Sequence, residues 1–477
     1  MITYSKLQRT GFFQSILVFL SIVIIMVSIW GCGSDDNQNI SGRVTSGGAS
    51  LSGVQITMTG DTTTTTTSDT NGNYTFENVS SGTVTLAPSL SGYLFSPPYR
   101  TFILLGVDLA GFTFSGYISG RLATSYHSVY LESDGTVWTW GNNSNGQLGD
   151  GTTSDEPIPV PVGVLTGITV IAAGSNHTVA LKNDGTVWAW GSNNKGQLGD
   201  GTTTDRWTPV PVAGLTGITA IDAGSNHSVA LKNDGTVWAW GSNSNGQLGN
   251  GTTTDNPTPI QVTGMTYIVD IAAGDTHTIA LRSVTPMKND GIVWAWGNNS
   301  SGQLGDGTTT NRLTPIQVAG LSGITDITAG DNHNVALRNL YTTTNDGTLW
   351  AWGLNSNGQL GDGTTINRLT PVQVAGLSIV TTIAGGTDHS IALKSDGTVW
   401  AWGNNDKGQI GDGTTTERLS LVQVTGLTGV TAIASGYKNN VVLKSDGTLQ
   451  AWGYNNKGQL GDGTTTDRWT PTTVLMP

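Results

Sequence analysis

Six histidines are the side chains best equipped for proton transfer or metal binding, and they fall one to a repeat: His127, His177, His227, His277, His333 and His389. Hydroxyls stand beside them, Ser175 and Thr178 around His177 for instance, a pairing that could make a nucleophile and its base. A hydrolytic triad also needs a carboxylate that orients the imidazole, and none sets one copy apart. A metal site needs imidazoles that converge, whereas these are spread one per copy. The histidines are therefore expected to be buried polar struts whose ring nitrogens satisfy groups between repeats. The seventh copy carries Asn439 there, a smaller amide. The aspartates follow the same rule: Asp134, Asp184, Asp234, Asp290, Asp346, Asp396 and Asp446 each precede Gly in a hairpin-type turn. Asp150, Asp200, Asp306, Asp362, Asp412 and Asp462 each precede Gly in a second loop. No catalytic residue, metal or cofactor is expected, and no acidic dyad among unique residues offers glycoside hydrolysis.

The elements that hold these residues are strands. Trp-Gly recurs at Trp140, Trp190, Trp240, Trp296, Trp352, Trp402 and Trp452, with spacings 50, 50, 56, 56, 50 and 50, and a period near fifty means blades or solenoid turns. Within one period His177 to Leu181 alternates, Asn183-Asp184-Gly185 turns, and Thr186 to Trp190 alternates again, with Trp188 and Trp190 on one face. The stretch Gly191 to Gly199 is a loop whose glycines permit positive φ. Thr208 to Val212 and Ile218 to Ile221 complete a four-strand unit. Such a sheet cannot bury both faces alone, so seven copies should stack radially and close a ring. The last strand, Pro471 to Leu475, is expected to close it by pairing with the start of the first unit near Ile118. The paired tryptophans read as wedges between blades, the alternative being exposed sugar-stacking platforms.

Only 11% of the 477 residues are charged, less than half of the usual roughly 25%, and the formal net charge is −12. Binding a nucleic-acid backbone needs clustered Lys and Arg, so that class of partner is excluded. The single cysteine, Cys32, rules out a disulfide framework or a Cys-based metal site. It follows Lys6, Arg9 and a nearly continuous apolar run from Phe12 to Trp30, and precedes the polar stretch 33–39. The run is long enough to enter a membrane. Ile29-Trp30-Gly31-Cys32 resembles a bacterial lipoprotein signal. That resemblance implies removal of 1–31, lipid attachment at Cys32, a tether over 32–39 and residence in the cell envelope, with Gly33 favouring the outer membrane. An uncleaved anchor helix and an ordinary signal peptide are the alternatives.

Short alternating runs over 40–115 suit a small antiparallel β-sandwich. Gly42-Arg43-Val44, Leu51-Ser52-Gly53-Val54, Asp69-x-x-Gly72-x-Tyr74-x-Phe76 and Gly92-Tyr93-x-Phe95 resemble the carboxypeptidase-regulatory-like domain, a non-catalytic family. Asp69, Asn71 and Asn73 around Gly72 read as a hairpin turn, since the Glu that completes a calcium loop is missing. Thr62 to Thr67 reads as an exposed strand edge.

From 116 to 477, Gly174-x-x-His177-x-x-Ala180-Leu181, Asp184-Gly185-x-Val187-x-x-Trp190-Gly191 and Gly196-Gln197-Leu198-Gly199-x-Gly201 resemble the regulator-of-chromosome-condensation repeat. The resemblance implies an all-β chain with a seven-bladed propeller behind the sandwich. Function is expected where the copies differ. Two copies carry six extra residues before the Asp-Gly turn, 283–288 and 339–344, with Val284, Met287, Leu340 and Tyr341 as partner-binding candidates; tolerated loop growth is the alternative. Arg206-Trp207 and Arg468-Trp469 are a second pair of candidates, for a glycan or a peptide, with packing beneath the loop as the alternative. The combined reading is an exported, membrane-tethered, monomeric, non-enzymatic scaffold for an envelope protein or glycan. A polysaccharide-binding surface protein is the first alternative. A small-GTPase regulator, the role of the family's best-known member, is the second, disfavoured by the export signal and the acidic charge.

Overall fold

Period-two burial builds the N-terminal domain: Ile56 and Met58 are buried in Gln55–Thr59, and Tyr74 and Phe76 in Asn73–Val79. The computed structural model describes residues 38–46, 49–89, 93–96, 100–104, 107–118, 121–163, 165–283, 291–338 and 347–477. Among them no helix is long and apolar enough to cross a membrane; Cys32 and the apolar run before it lie outside the described residues. One sheet of the sandwich runs Ala49–Ser50, Gln38–Ser46, Leu109–Ile118, Tyr93–Ser96, with Asn73–Val79 also on Gln38–Ser46. The other runs Thr63–Thr67, Gln55–Thr59, Gly82–Ser89, Arg100–Leu104. Ile40, Val44, Ile56, Leu86 and Phe114 meet between them. The sandwich is not wholly antiparallel: Gln38–Ser46 and Leu109–Ile118 pair in parallel, because the chain returns to its own first strand before leaving. Asp69 Oδ1 accepts the N–H groups of Asn71 and Asn73, both at 2.8 Å, which makes that segment a turn.

The described residues from 121 onward form seven four-stranded antiparallel sheets, each of four consecutive strands. Blade 2 is typical: Ile168–Ala173 innermost, then His177–Lys182, Val187–Gly191 and Arg206–Pro211 outermost. Blade 1 starts at Leu122 and blade 7 ends with Arg468–Thr473. Successive blades interleave, so Trp190 of blade 2 packs with Val129, Leu131 and Val137 of blade 1. The final strand does not close the ring by pairing near Ile118. Arg468–Thr473 lies on Leu449–Gly453 of its own blade, and Ile118 belongs to the sandwich. The repeat is in phase with the blade: Leu122–Thr124 gives blade 1 its own inner strand, so blade 7 has no strand to lend.

Candidate functional site

The joints between blades explain most of the repeated residues. In every blade the tryptophan of the Trp-Gly pair is fully buried, and its Nε1 donates to the main-chain carbonyl of a glutamine in the preceding blade. Trp190 reaches Gln147 at 2.9 Å, and Trp140 reaches Gln459 across the closing seam at 2.9 Å. The residue after the histidine donates to the same oxygen: Thr178 to Gln147 at 2.8 Å, Asn334 Nδ2 to Gln303 at 2.8 Å. All six histidines are fully buried, and each Nε2 meets that residue of the next blade, as His127 meets Thr178 at 2.6 Å and His277 meets Asn334 Oδ1 at 2.8 Å. The hydroxyl hydrogen is committed to the carbonyl and Oδ1 can only accept, so the imidazole carries its proton on Nε2. Burial pushes His127, His177, His227 and His333 down to about 3 and His389 to about 4. Asn439 Nδ2 reaches Thr124 at 2.6 Å at the closing seam. The imidazoles are one per seam and do not converge, so the arrangement provides hydrogen-bonded struts and no shared reaction centre.

Arg206 and Arg468 are each held in an ion pair. Arg206 pairs with Asp200 at 2.8 Å and Arg468 with Asp462 at 2.7 Å, and blades 4, 5 and 6 repeat the pair through Arg312, Arg368 and Arg418. Trp207 and Trp469 are each 52% exposed, with the remainder of each ring laid on Gly146 or Gly408 of the preceding blade. Leu313, Leu369, Leu419, Pro157 and Pro257 occupy that latch elsewhere. The two tryptophans sit on blades 2 and 7 with blade 1 between them, so the structure does not bring them together.

Two places do break the repeat. The first is the rim of the central channel, where each blade contributes the two residues that directly precede the histidine column: Ser125-Tyr126, Ser175-Asn176, Ser225-Asn226, Asp275-Thr276, Asp331-Asn332, Thr387-Asp388 and Tyr437-Lys438. Tyr126 and Tyr437 stack at 4.1 Å between centroids, and Tyr454 stands edge-on to Tyr437 at 5.9 Å. Below them lies a cavity of about 590 Å³ lined by Asp222, Asp270, Asp275 and Asp331, with no Lys or Arg in its described wall. Burial, with help from Asp275 and Asp388, pushes Asp331 up to about 7. Burial also lifts Asp222 to about 6, against the N–H of Ala273 at 2.7 Å. Both residues line this cavity.

The second is the opposite face, where the hairpins lie. In blades 2 to 7 the residue before the inner strand is in the left-handed region: Gly167, Gly217, Gly323 and Gly429 hold φ near 70°, but blades 4 and 6 place Tyr267 at 59° and Ile379 at 62°. An L-residue there costs roughly 1–2 kcal/mol, and a β-branched one is a true outlier. Both side chains are exposed, by 61% and 44%. The Tyr267 carbonyl accepts the N–H of Ser283 at 3.0 Å, and the Ile379 backbone lies against Gly347. They therefore bracket the hairpins of blades 4 and 5. Val284, Met287, Leu340 and Tyr341 lie outside the described residues. The sequence reading missed the rim and the two strained residues. A column-by-column comparison of the two positions before each histidine, and of the glycine before each inner strand, holds the signal for both.

Residues 122–343 match the family model described as the RCC1-like domain, and 346–393, 396–443 and 446–477 match that of the regulator of chromosome condensation (RCC1) repeat. Residues 39–96 match the carboxypeptidase regulatory-like domain. The chain is 36% identical over 110 residues to human E3 ubiquitin-protein ligase HERC2, covering 22% of this chain and 2% of that protein. It is 37% identical over 106 residues to mouse Alsin, covering 21% and 6%, so it spans only a small part of these relatives. Among solved structures, Prp20p from Saccharomyces cerevisiae superposes with a TM-score of 0.63 at 26% identity over 73% of this chain and 88% of that one. Human WBSCR16 gives 0.62 at 24% identity over 72% and 94%, a likeness of fold alone.

Proposed function

The chain belongs to the RCC1-repeat propeller family, with a carboxypeptidase regulatory-like domain ahead of the ring, and on that premise we propose that it is a non-enzymatic scaffold holding a protein partner on the hairpin face of blades 4 to 6. The observation that carries this reading is the pair Tyr267 and Ile379. Glycine would satisfy the same backbone without strain, as it does in four other blades. Strain retained at exposed apolar side chains is a mark of a working surface, and large apolar side chains are what a protein interface buries at its centre. The scaffold works outside the cytoplasm, tethered through a lipid on Cys32; the apolar run before that cysteine supports this part of the reading.

The test is a photo-crosslinking residue in place of Asp396, an exposed residue of the blade 6 hairpin, in intact cells. A discrete protein adduct is expected, lost when Tyr267→Gly and Ile379→Gly are combined, while the same double change raises the melting temperature of the purified chain. No adduct, or one indifferent to the double change, refutes the reading. Cys32→Ser should move the protein from the membrane to the soluble fraction. Retention in the membrane would instead support the uncleaved anchor.

A further inference from the structure

The tyrosine rim sits at the seam between blades 7 and 1, and the first question is whether the tyrosines are there to close it. They are not needed for that. The seam already has the two donors found at the other six, Trp140 Nε1 and Ser128 Oγ to the Gln459 carbonyl at 2.9 Å, and adds the Asn439–Thr124 bond at 2.6 Å and the Lys457–Asp155 pair at 2.8 Å. No other seam carries an aromatic pair at this place among the described residues. Tyr126 and Tyr437 are instead part of the wall of the central cavity.

The chemistry around them is that of a site for a polyhydroxylated ligand. Aromatic rings pack on the apolar face of a sugar and keep a polar handle for its hydroxyls. The wall beneath supplies acceptors in Asp275 and Asp331 and hydroxyls in Ser175, Ser225 and Thr387. Asp331, held near neutrality by its surroundings, can both give and take a hydrogen bond at neutral pH. No cation stands in the described wall; at the rim Lys438 lies over the Tyr437 ring, 5.9 Å from its centroid, and Lys407 over Tyr454 at 5.3 Å, and each already has a carboxylate partner, Lys438 in Asp406 at 2.8 Å and Lys407 in Asp467 at 3.7 Å. Within the lumen an anionic ligand would meet carboxylates and no cation. The cavity, about 590 Å³, falls within the roughly 300–1,000 Å³ of small-ligand sites. We propose that the channel mouth framed by Tyr126, Tyr437 and Asp331 is a binding site for an uncharged saccharide, whose terminal sugar stacks on the tyrosines and enters the lumen. This site is on the face opposite Tyr267 and Ile379 and does not depend on the protein-partner reading.

The experiment is isothermal titration calorimetry of the full chain with maltotriose, cellotriose, xylotriose and chitotriose as neutral probes, the deacetylated chitotriose as a cationic one and trigalacturonic acid as an anionic one. At least one neutral trisaccharide should bind with a Kd of about 1 mM or tighter, and the anionic probe should not bind. Tyr126→Ala with Tyr437→Ala should weaken it about tenfold or more. Asp331→Ala, which leaves the aromatic pair in place, should weaken it too, so a folding failure of the double variant would not decide the matter. Absence of binding by all four neutral probes overturns the proposal. So does binding of the cationic trimer alone, which would mean that the rim reads charge, or a neutral affinity unchanged in both variants.

Discussion

Acidification should weaken the ring through its buried imidazoles. An ordinary histidine has a pKa of about 6.5, whereas His127, His177, His227 and His333 are held at about 3 and His389 at about 4 by burial. Their folded values lie below the unfolded ones, so the unfolded chain takes up protons that the ring refuses. Their contribution to stability is intact above pH 6.5 and drains away as the pH falls through 6.5 toward 3. At pH 5 each imidazole then favours unfolding by about 2 kcal/mol, or about 10 kcal/mol for the five. The lumen carboxylates act in the opposite sense. Asp331 at about 7 and Asp222 at about 6 are raised above their unfolded values, and together they return about 4 kcal/mol between pH 7.5 and pH 5. The net loss is about 6 kcal/mol, comparable with the whole stability of many domains. Urea unfolding at the two pH values reads this directly. His227→Asn, which puts into blade 3 the residue that blade 7 already uses, should flatten the pH dependence by about 2 kcal/mol. Equal stability at pH 7.5 and pH 5, or an unchanged pH dependence in His227→Asn, would refute the reasoning.

Three further outcomes follow from the seams. Trp190→Phe should cost only about 1 kcal/mol beyond its packing loss, because Thr178 still serves the Gln147 carbonyl; combined with Thr178→Val the loss should exceed the sum by about 1 kcal/mol or more, read from a urea double-mutant cycle. Gly174→Ala would put a Cβ 2.2 Å from His177 Cε1 and 2.5 Å from the Gly224 carbonyl. It should lower stability by roughly 3 kcal/mol in calorimetry, whereas Gly376→Ala, with nothing within 4 Å, should cost about 1 kcal/mol for its positive φ. Arg206→Ala leaves the largely buried Asp200 carboxylate, 8% exposed, without its partner and should cost about 1 kcal/mol, a loss that Arg312→Ala should match in blade 4.

The ring was legible because its repeat is nearly exact: the Trp-Gly column and the Asp-Gly turns carry both the strand period and the blade count. The closing strand was misread because a period reveals the length of a unit but not where the chain enters it, and Leu122–Thr124 is too short to show as an inner strand. Tyr126 and Tyr437 were invisible for a related reason. They occupy different columns of the repeat, Tyr126 directly before His127 and Tyr437 two places before Asn439, and only ring closure stacks them. Tyr267 and Ile379 look like ordinary apolar residues in the chain. Their meaning lies in a backbone dihedral, which four glycines in the same column reveal once the copies are aligned. Arg206 looked special beside Trp207, but its partner Asp200 was already in view as a loop residue, and the pair recurs in blades without the tryptophan.

One half of every joint in this ring is written in the main chain. The acceptor at each seam is the carbonyl of a glutamine residue, and no substitution can delete a carbonyl. Mutation can reach only the donors, and they have been exchanged freely: serine, threonine and asparagine all fill the hydroxyl's place. A blade copied from one position to another would thus find its socket waiting on either side. Such a ring can be assembled from duplicated parts without inventing a new joint, leaving the rim and the hairpins free to vary at no expense to closure.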